Sequence, residues 1–538
     1  MRWFLAFLPL TLVAETALVT PTDLSGLVPP TPSYSVQRAQ FTLPSQVPGN
    51  PTLTCHIAWA ETADGSVPPR RQDLVLYLQH PKERFYQPST QSWEWKPYEH
   101  LVSEGGFTVC GVFFENMGEE QIDVLGDRQR SYIYQESHSY AALRTAIDEV
   151  RRRRQLPNRP IFTFGLSAGG MLSQRFAEAY PDQVDAVAAL GGGMFRQQRG
   201  NHAAHLMVST LGDVTEEDHR GLLRWLSLRG VPAAWMQTTP DWSKRHQKEL
   251  FYHCHNRASQ VLALRWLEGV ADLRRSGVPM TDTTRWPYAA DLRDPGRIAA
   301  TTAPGWRREI PADLAEPLPS AAAALAWMAT PYRPSDLAKG MRWARPSATV
   351  KPSAVVVHRW HDRRAAAESV TGDPSLGTMG HRDWDLLQLA DQGVIACATD
   401  APLRDVASLR ATLLPYGIAD DLPVVVLETV GDAVRSQVAG AAGRCVVAMP
   451  GEVTAEAARA LLGEGAPGQT DLLVFGDPKQ QPPAWAAASA GLPGRGRLVM
   501  IDDRERTAQA VHAQVCGRIL DLVRQHELQE AVKPARRN

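Results

Sequence analysis

The sequence carries almost no net charge, few cysteines and, past its first residues, no long apolar run. Lys plus Arg total 57 against 58 for Asp plus Glu, a formal charge of -1 over 538 residues. That balance gives no global reason to expect nucleic acid or an anionic membrane surface as a partner. No segment after the N-terminus reaches about 18 uninterrupted apolar residues, so no stable membrane span is expected there. The cysteines, Cys55, Cys110, Cys254, Cys397, Cys445 and Cys516, lie far apart, with no CxxC pair and no zinc-like spacing. Cys55, Cys110, Cys397 and Cys445 fall in strand-like apolar runs, where a thiol acts as a small hydrophobe. The sequence specifies no disulfide pairing.

What is present describes a globular chain of more than one domain. Apolar residues make up 44% and charged residues 21%, close to the globular average. Arg2 precedes the apolar run Trp3–Ala14, which is too short to span a bilayer comfortably. It reads as an export leader covering residues 1–17, with the small residues Ala14, Thr16 and Ala17 near its end but none in a small-x-small context; an uncleaved anchor or a mis-called start is the alternative. The expected location is therefore periplasmic or extracellular. Residues 18–38, rich in Pro, Thr and Ser, read as an extended lead-in. The basic run Arg151–Arg154 reads as a solvated helix C-terminus, where cations suit the dipole.

Alternating elements fill residues 39–275. Strands are expected at Thr52–Ala60, Asp73–Leu78, Phe107–Phe114, Pro160–Phe164, Val184–Leu190, His205–Thr210 and Pro232–Thr238. Helices are expected at Trp95–Glu104, Ser139–Arg154, Ala168–Tyr180, Glu216–Arg229 and His246–Leu267. Such alternation implies a mostly parallel sheet covered on both faces. Residues 276–335 are rich in Pro, Ala and Arg and read as a linker with short helices such as Ser320–Met328. A second α/β domain is expected over 336–528, followed by a polar tail, 529–538. Its strands read as Ser353–His358, Gly393–Asp400, Leu422–Leu427, Arg444–Met449, Asp471–Phe475 and Arg497–Ile501, with a last helix at Ala508–His526. Shared order links the two halves: Ser173-Gln174 with Ser436-Gln437, Leu211-Gly212-Asp213 with Phe475-Gly476-Asp477, Met236 with Met500, Trp59 with Trp343. The shared order suggests an internal duplication, with the second domain a degenerate copy of the first; chance similarity between two parallel α/β domains is the alternative.

The sharpest motif is Gly165-Leu166-Ser167-Ala168-Gly169, set between an expected strand and an expected helix. Small residues flank Ser167 because such a turn is crowded. Ser167 is the candidate nucleophile, and the Ala168 backbone N–H can donate to an oxyanion. A hydroxyl needs a base, and the base needs an orienting group. Asp213, just past a later strand, is the candidate acid; Glu216, Glu217 and Asp218 read as the first turn of the next helix. His246, in the loop before the last helix of this half, is the candidate base. His253 and His255 lie further into that helix, and His202, His205 and His219 precede or surround the acid strand. The second oxyanion donor falls after Leu78, where Pro81 has no N–H; His80 or Lys82 could supply it. The Trp93-Glu94-Trp95 segment reads as packing, with a ring-binding role as the alternative.

Residues Phe164–Phe195, including Gly-Leu-Ser-Ala-Gly-Gly, Ala179-Tyr-Pro-Asp182 and Gly191-Gly-Gly193, resemble the polyhydroxybutyrate depolymerase and feruloyl-esterase-like branch of the α/β hydrolases. The resemblance covers about residues 40–270. It implies an α/β-hydrolase fold, an exported enzyme acting on small-molecule or polymeric esters of hydroxyacids, phenolic acids or sugar acetates, and the order Ser167, Asp213, His246 for the triad. No metal or organic cofactor is implied. The loop after Leu78 departs from the family pattern. A serine peptidase with the same triad, and a non-catalytic binding protein, are the alternatives. In the second half Val430 stands at the place of Ser167 and Asp432 at that of Gly169, while Asp477 and His512 fall near the places of Asp213 and His246. That half is expected to be non-catalytic.

Overall fold

A computed structural model describes residues 17–47, 49–78, 86–87, 92–93, 96–114, 135–191, 203–210, 226, 230–238, 257–292, 294–330, 332, 341–359, 389–390, 392–399, 406–413, 422–429, 443–448, 470–475, 496–501, 517, 519–521 and 523–524. Eight strands build the first sheet: β1 (Ser35–Val47), β2 (Asn50–Glu61), β3 (Leu74–Leu78), β4 (Thr108–Phe113), β5 (Ile161–Leu166), β6 (Val184–Leu190), β7 (Ala204–Thr210) and β8 (Ala233–Thr238). Their order is β1-β2-β4-β3-β5-β6-β7-β8. The β1–β2 and β2–β4 pairs are antiparallel, and the other pairs are parallel. Central strands are apolar on both faces because helices cover both: β3 reads Leu-Val-Leu-Tyr-Leu and is buried throughout.

The described helices of this unit include α1 (Pro21–Ser25), α2 (Lys96–Ser103), α3 (Ser139–Arg154), α4 (Ala168–Ala179) and α5 (Arg257–Arg275). On one face, Leu143, Ile147 and Val150 of α3 and Met171, Leu172 and Phe176 of α4 pack with Leu76, Leu78 and Val187. On the other, Val102 of α2 and Leu262, Trp266, Leu267 and Val270 of α5 pack with Val75, Phe162 and Ala188. The run Arg151–Arg154 is less solvated than its charge implies. Arg154 lies over the Trp59 ring at 3.7 Å and Arg153 over Phe41 at 4.5 Å, so the guanidinium planes cover the outer strands of the sheet. The described part of α5 begins at Arg257 and runs to Arg275, beyond the expected end at Leu267.

Two stretches differ from their sequence-based expectation. Residues 18–38 contain a short strand, Leu18–Val19, the helix α1 and the start of β1. Thr20 and Asp23 form a capping box that starts α1. Residues 276–335 do not form a linker. They hold β9 (Tyr288–Asp291), β10 (Asp294–Ala300), β11 (Ala315–Leu318) and α6 (Ala321–Met328). With Leu18–Val19 these strands make an antiparallel sheet in the order (18–19)-β10-β9-β11. Its Trp286 and Trp327 are fully buried and share the core with Trp266 of α5, the Trp266 and Trp286 rings lying 6.2 Å apart. The stretch reads as a linker because its elements are short and alanine-rich. Its large rings supply the burial, at roughly 150–250 Å² each. The expected Ser320 start of α6 is present, with Ser320 Oγ accepting from Ala323 N–H.

A second sheet comprises β12 (Met341–Ala344), β13 (Val355–Arg359), β14 (Ile395–Thr399), β15 (Val424–Thr429), β16 (Gly443–Ala448), β17 (Thr470–Phe475) and β18 (Gly496–Ile501), with α7 (Val406–Leu413) between β14 and β15. The order is β12-β14-β13-β15-β16-β17-β18, with only the β12–β14 pair antiparallel. That is the order of the first sheet without β1. Matching Glu428 to Gly165 places Cys397 beside Val357 as Cys110 is beside Leu76. Two of the proposed sequence matches are out of register: Trp343 opposes Cys397 as Ile57, not Trp59, opposes Cys110, and Val499 rather than Met500 takes the rung of Met236. Cys55, Cys110 and Cys397 are buried free thiols, and burial pushes Cys55 and Cys397 up to about 12. Cys254 and Cys516 lie outside the described residues. Among the described residues, no helix is long and apolar enough to cross a membrane.

Two buried carboxyls hold the first unit together. Asp73, with no exposed side-chain surface, meets Arg159 and Arg275 at 2.8 Å each, and also Arg274. Arg274 bonds Asp185 at 2.7 Å as well. These contacts pin the end of α5 under the sheet. Replacing Asp73 by Asn leaves three guanidinium groups without their shared counter-charge and is expected to cost about 3–5 kcal/mol, read from the urea midpoint. Glu316 of β11 accepts from Trp235 N–H of the end strand β8 at 3.2 Å. Burial pushes its carboxyl up to about 8; the Trp235 bond opposes that rise and Asp291 adds to it. The folded chain thus keeps a proton that the unfolded chain releases near 4.5. Stability from this group is full at low pH and is lost as pH climbs through that interval, then levels off. Glu316→Gln should flatten this part of the stability–pH curve, a change of about 1 kcal/mol per pH unit, measured by thermal melts of both proteins from pH 5 to 8.

Candidate active site

The chain leaves β5 at Leu166 and enters α4 at Ala168, with Ser167 as the single residue between them. Ser167 has φ 53° and ψ -125°, a region that residues with a Cβ rarely occupy. Two contacts keep it there. Its N–H donates to Leu190 O of β6 at 2.8 Å, extending the ladder one residue past the strand, and its carbonyl accepts from Met171 N–H at 3.2 Å. The turn closes because Gly165 has no side chain: a Cβ there would overlap the Gly169 carbonyl and stand 2.6 Å from Gly170 N.

The geometry leaves the hydroxyl available. Ser167 occupies the N-cap position of α4 but makes no side-chain capping bond. It is half-buried, while Ala168, Gly169 and Gly170 behind it are buried. Ala168 is the first residue of the helix, so its N–H has no partner within α4. The first turn of α4 holds no acidic residue, so the helix itself does not offset the positive end of its dipole beside Ser167. Glu178, in the last turn, is pushed up to about 7 by burial, with Arg175 opposing the rise. A neutral carboxyl there avoids the repulsion that a carboxylate meets at a helix C-terminus.

The ladders align Leu166, Leu190, Val208 and Met236 in one row across β5, β6, β7 and β8. Because these strands are parallel, Ser167 and the segments after Thr210 and Thr238 all leave the same edge of the sheet. Asp213 and His246 belong to those segments but lie outside the described residues. So do His80, Lys82, His202, Glu216, Glu217, Asp218, His219, His253 and His255. His205 is described: it is buried in β7, its Nδ1 is 2.6 Å from Ala203 O, and burial pushes it down to about 4. A neutral imidazole inside the sheet is a core residue, as its position before the acid loop implies. Trp93 pairs in the backbone ladder with Tyr86, in a hairpin of two-residue strands. Among the described residues no group of three His, Cys, Asp or Glu side chains is placed to hold a metal ion.

The strain at Ser167 gives a direct expectation. Glycine occupies positive φ without the Cβ penalty, so Ser167→Gly should be more stable than Ser167→Ala by about 1–2 kcal/mol, as measured by denaturant unfolding. Equal stabilities would show that the turn is not strained.

Known proteins resemble part of this chain. The family described as serine aminopeptidase, S33 matches residues 103–276. No curated protein matches the chain significantly. Similar solved structures include a thermostable esterase, at 17% identity and TM-score 0.31 over 40% of this chain and 58% of that one. An S-formylglutathione hydrolase from Staphylococcus aureus aligns at 14% identity and TM-score 0.30, over 45% of this chain and 99% of that one. A ferulic acid esterase aligns at 13% and 0.27, over 40% and 95%. Such identities are too low to carry an activity across. The order of the eight strands, the turn at Ser167 and the family match over 103–276 assign the first unit to the α/β-hydrolase fold.

Proposed function

We propose that the first unit is an exported serine hydrolase that cleaves carboxylic esters. The observation that carries this reading is the backbone of Ser167, held at φ 53° between strand and helix with its hydroxyl unused by the helix cap. A fold retains 1–3 kcal/mol of such strain only where the surroundings impose it. Here it presents a hydroxyl at a helix N-terminus. In the proposed reaction Ser167 Oγ attacks the acyl carbon, and His246 takes its proton and passes it to the leaving alcohol. Asp213 orients the imidazole. The Ala168 N–H donates to the tetrahedral oxyanion, joined by a backbone donor from the His80–Lys82 loop. Water then attacks the acyl-enzyme by the same route, and Ser167 is restored. The chemistry needs no cofactor. The second sheet is proposed to be non-catalytic. Val430 and Asp432 stand at the places of Ser167 and Gly169, and Glu428 takes the rung where Gly165 stands.

A second reading rests on the family match, whose description is that of an aminopeptidase. An amide substrate uses the same groups, with His246 protonating a leaving amine.

Labelling by a fluorophosphonate probe tests the nucleophile. The wild type should take up one probe per chain, Ser167→Ala none, and the variant should lose at least about 10³-fold in kcat on any substrate turned over. A folded wild type that takes no probe would defeat the triad proposal. Paired acyl-ester and aminoacyl-anilide substrates of matched side chain then separate the two readings by kcat/KM.

A further inference from the structure

The two end strands of the first sheet are finished differently. On β8 the Trp235 N–H is taken up by Glu316 Oε1 at 3.2 Å. β1 ends the sheet on the other side. Among the described residues, no group outside β2 bonds the backbone of Val36, Arg38, Gln40 or Thr42. Gln37, Arg38, Ala39 and Gln40 are all exposed, so both faces are open here as well as the edge. An unpaired edge is a template for another strand, and proteins blunt it with short strands, charge, proline, bulges or a cover. β1 is 13 residues long. Its Pro44 and its bulge both lie toward the far end. Its one charged residue is Arg38, which Glu99 of the same chain meets at 3.4 Å.

Pro44 sets the phase of the open edge. Proline has no N–H, and in an end strand it sits where the backbone faces away from the neighbouring strand. β1 pairs with β2 without a break from Ser35 to Pro44. Residues 36, 38, 40 and 42 therefore face outward with Pro44, and the odd-numbered residues bond β2. A second β1 laid alongside, antiparallel about a two-fold axis, can be tried in each register. An axis at Arg38 sets the two Arg38 side chains directly opposite, where like charges repel. An axis at Gln40 sets Pro44 opposite Val36, where it has no N–H to give. An axis at Ala39 avoids both. Val36 then faces Thr42, Arg38 faces Gln40, and Ala39, the smallest side chain of the strand, meets its own copy. With a formal charge of -1 per chain, two copies repel little as they approach.

We propose that β1 is the contact surface for a second copy of this chain, the two strands pairing antiparallel about a two-fold axis at Ala39 so that the two main sheets become one. Sedimentation of the full chain over a concentration series tests the contact. The wild type should reach the mass of two chains. Ala39→Arg, which puts two cations on the axis, and Gln40→Pro, which removes an outward N–H, should sediment as one chain at the concentration where the wild type is paired, with circular dichroism checking that each is folded. Ala39→Cys tests the register. Residues opposed without mutual hydrogen bonds have Cα atoms about 4.5 Å apart, within the reach of a disulfide. Under mild oxidation this variant should run as a covalent dimer on a non-reducing gel, while the wild type and Gln37→Cys, which faces Phe41, should not. A wild type with the mass of one chain throughout the series overturns the proposal. So does a dimer that both Ala39→Arg and Gln40→Pro leave intact. A dimer that they disrupt but that Ala39→Cys does not cross-link overturns the axis at Ala39.

Discussion

The first unit is organised around a distance too short for a side chain. Between β5 and α4 the backbone of Gly169 and Gly170 passes so close to residue 165 that only hydrogen fits there. That approach lets the chain reverse in one residue, forces Ser167 to positive φ and aims the first turn of α4 back at the serine. Since β5 lies in the middle of the sheet, between β3 and β6, the turn stands over the centre of the edge. The strands leading to Asp213 and His246 have only to end on that same edge. The Asp73 cluster serves the opposite edge: it ties the starts of β3 and β5, through Arg159, to the end of α5. One edge is thereby fixed by ion pairs, leaving the other free for loops of any length.

Much of this was legible in the sequence because strands buried on two faces write their position in apolar runs. Ile161–Leu166 and Val184–Leu190 lie within a residue or two of where their composition put them. β1 was missed for the opposite reason. It is an end strand, mostly exposed, with Gln, Arg and Pro44 among its residues, and end strands tolerate both charge and proline. The sheet over 288–318 was missed because its burial is concentrated in a few rings rather than spread along a run. The extension of α5 was missed because its last turn, Arg274-Arg275, packs through charge, which looks like solvent exposure in a sequence. In the site, the turn that presents Ser167 was legible since it is built from five adjacent residues. The proposed acid, base and second oxyanion donor depend on the placement of loops far apart in sequence, so the sequence offers only an order for them.

The second sheet has the strand order of the first without β1. It keeps the antiparallel end strand, the parallel order and a buried cysteine on the rung of Cys110. It does not keep the glycine that permits the turn. Strand burial depends on apolarity in general, whereas the turn depends on one missing carbon, so the same strand order does not require the same turn. Shared architecture between the halves does not carry activity, which must be argued separately for each.

The pairing of Leu18–Val19 with Ile298–Ala299 sets an order in time as well as in space. A ribosome adds residues at about 5–20 per second, so the partner of this strand emerges roughly 15 seconds to a minute after the strand itself. During that interval the open edge that it will cover does not exist, and the core around Leu24 lacks Trp286 and Trp327. The part of the unit that is made first is therefore completed last. A chain halted near residue 275 would hold every strand of the main sheet and still lack the β9–β11 sheet that its first residues close.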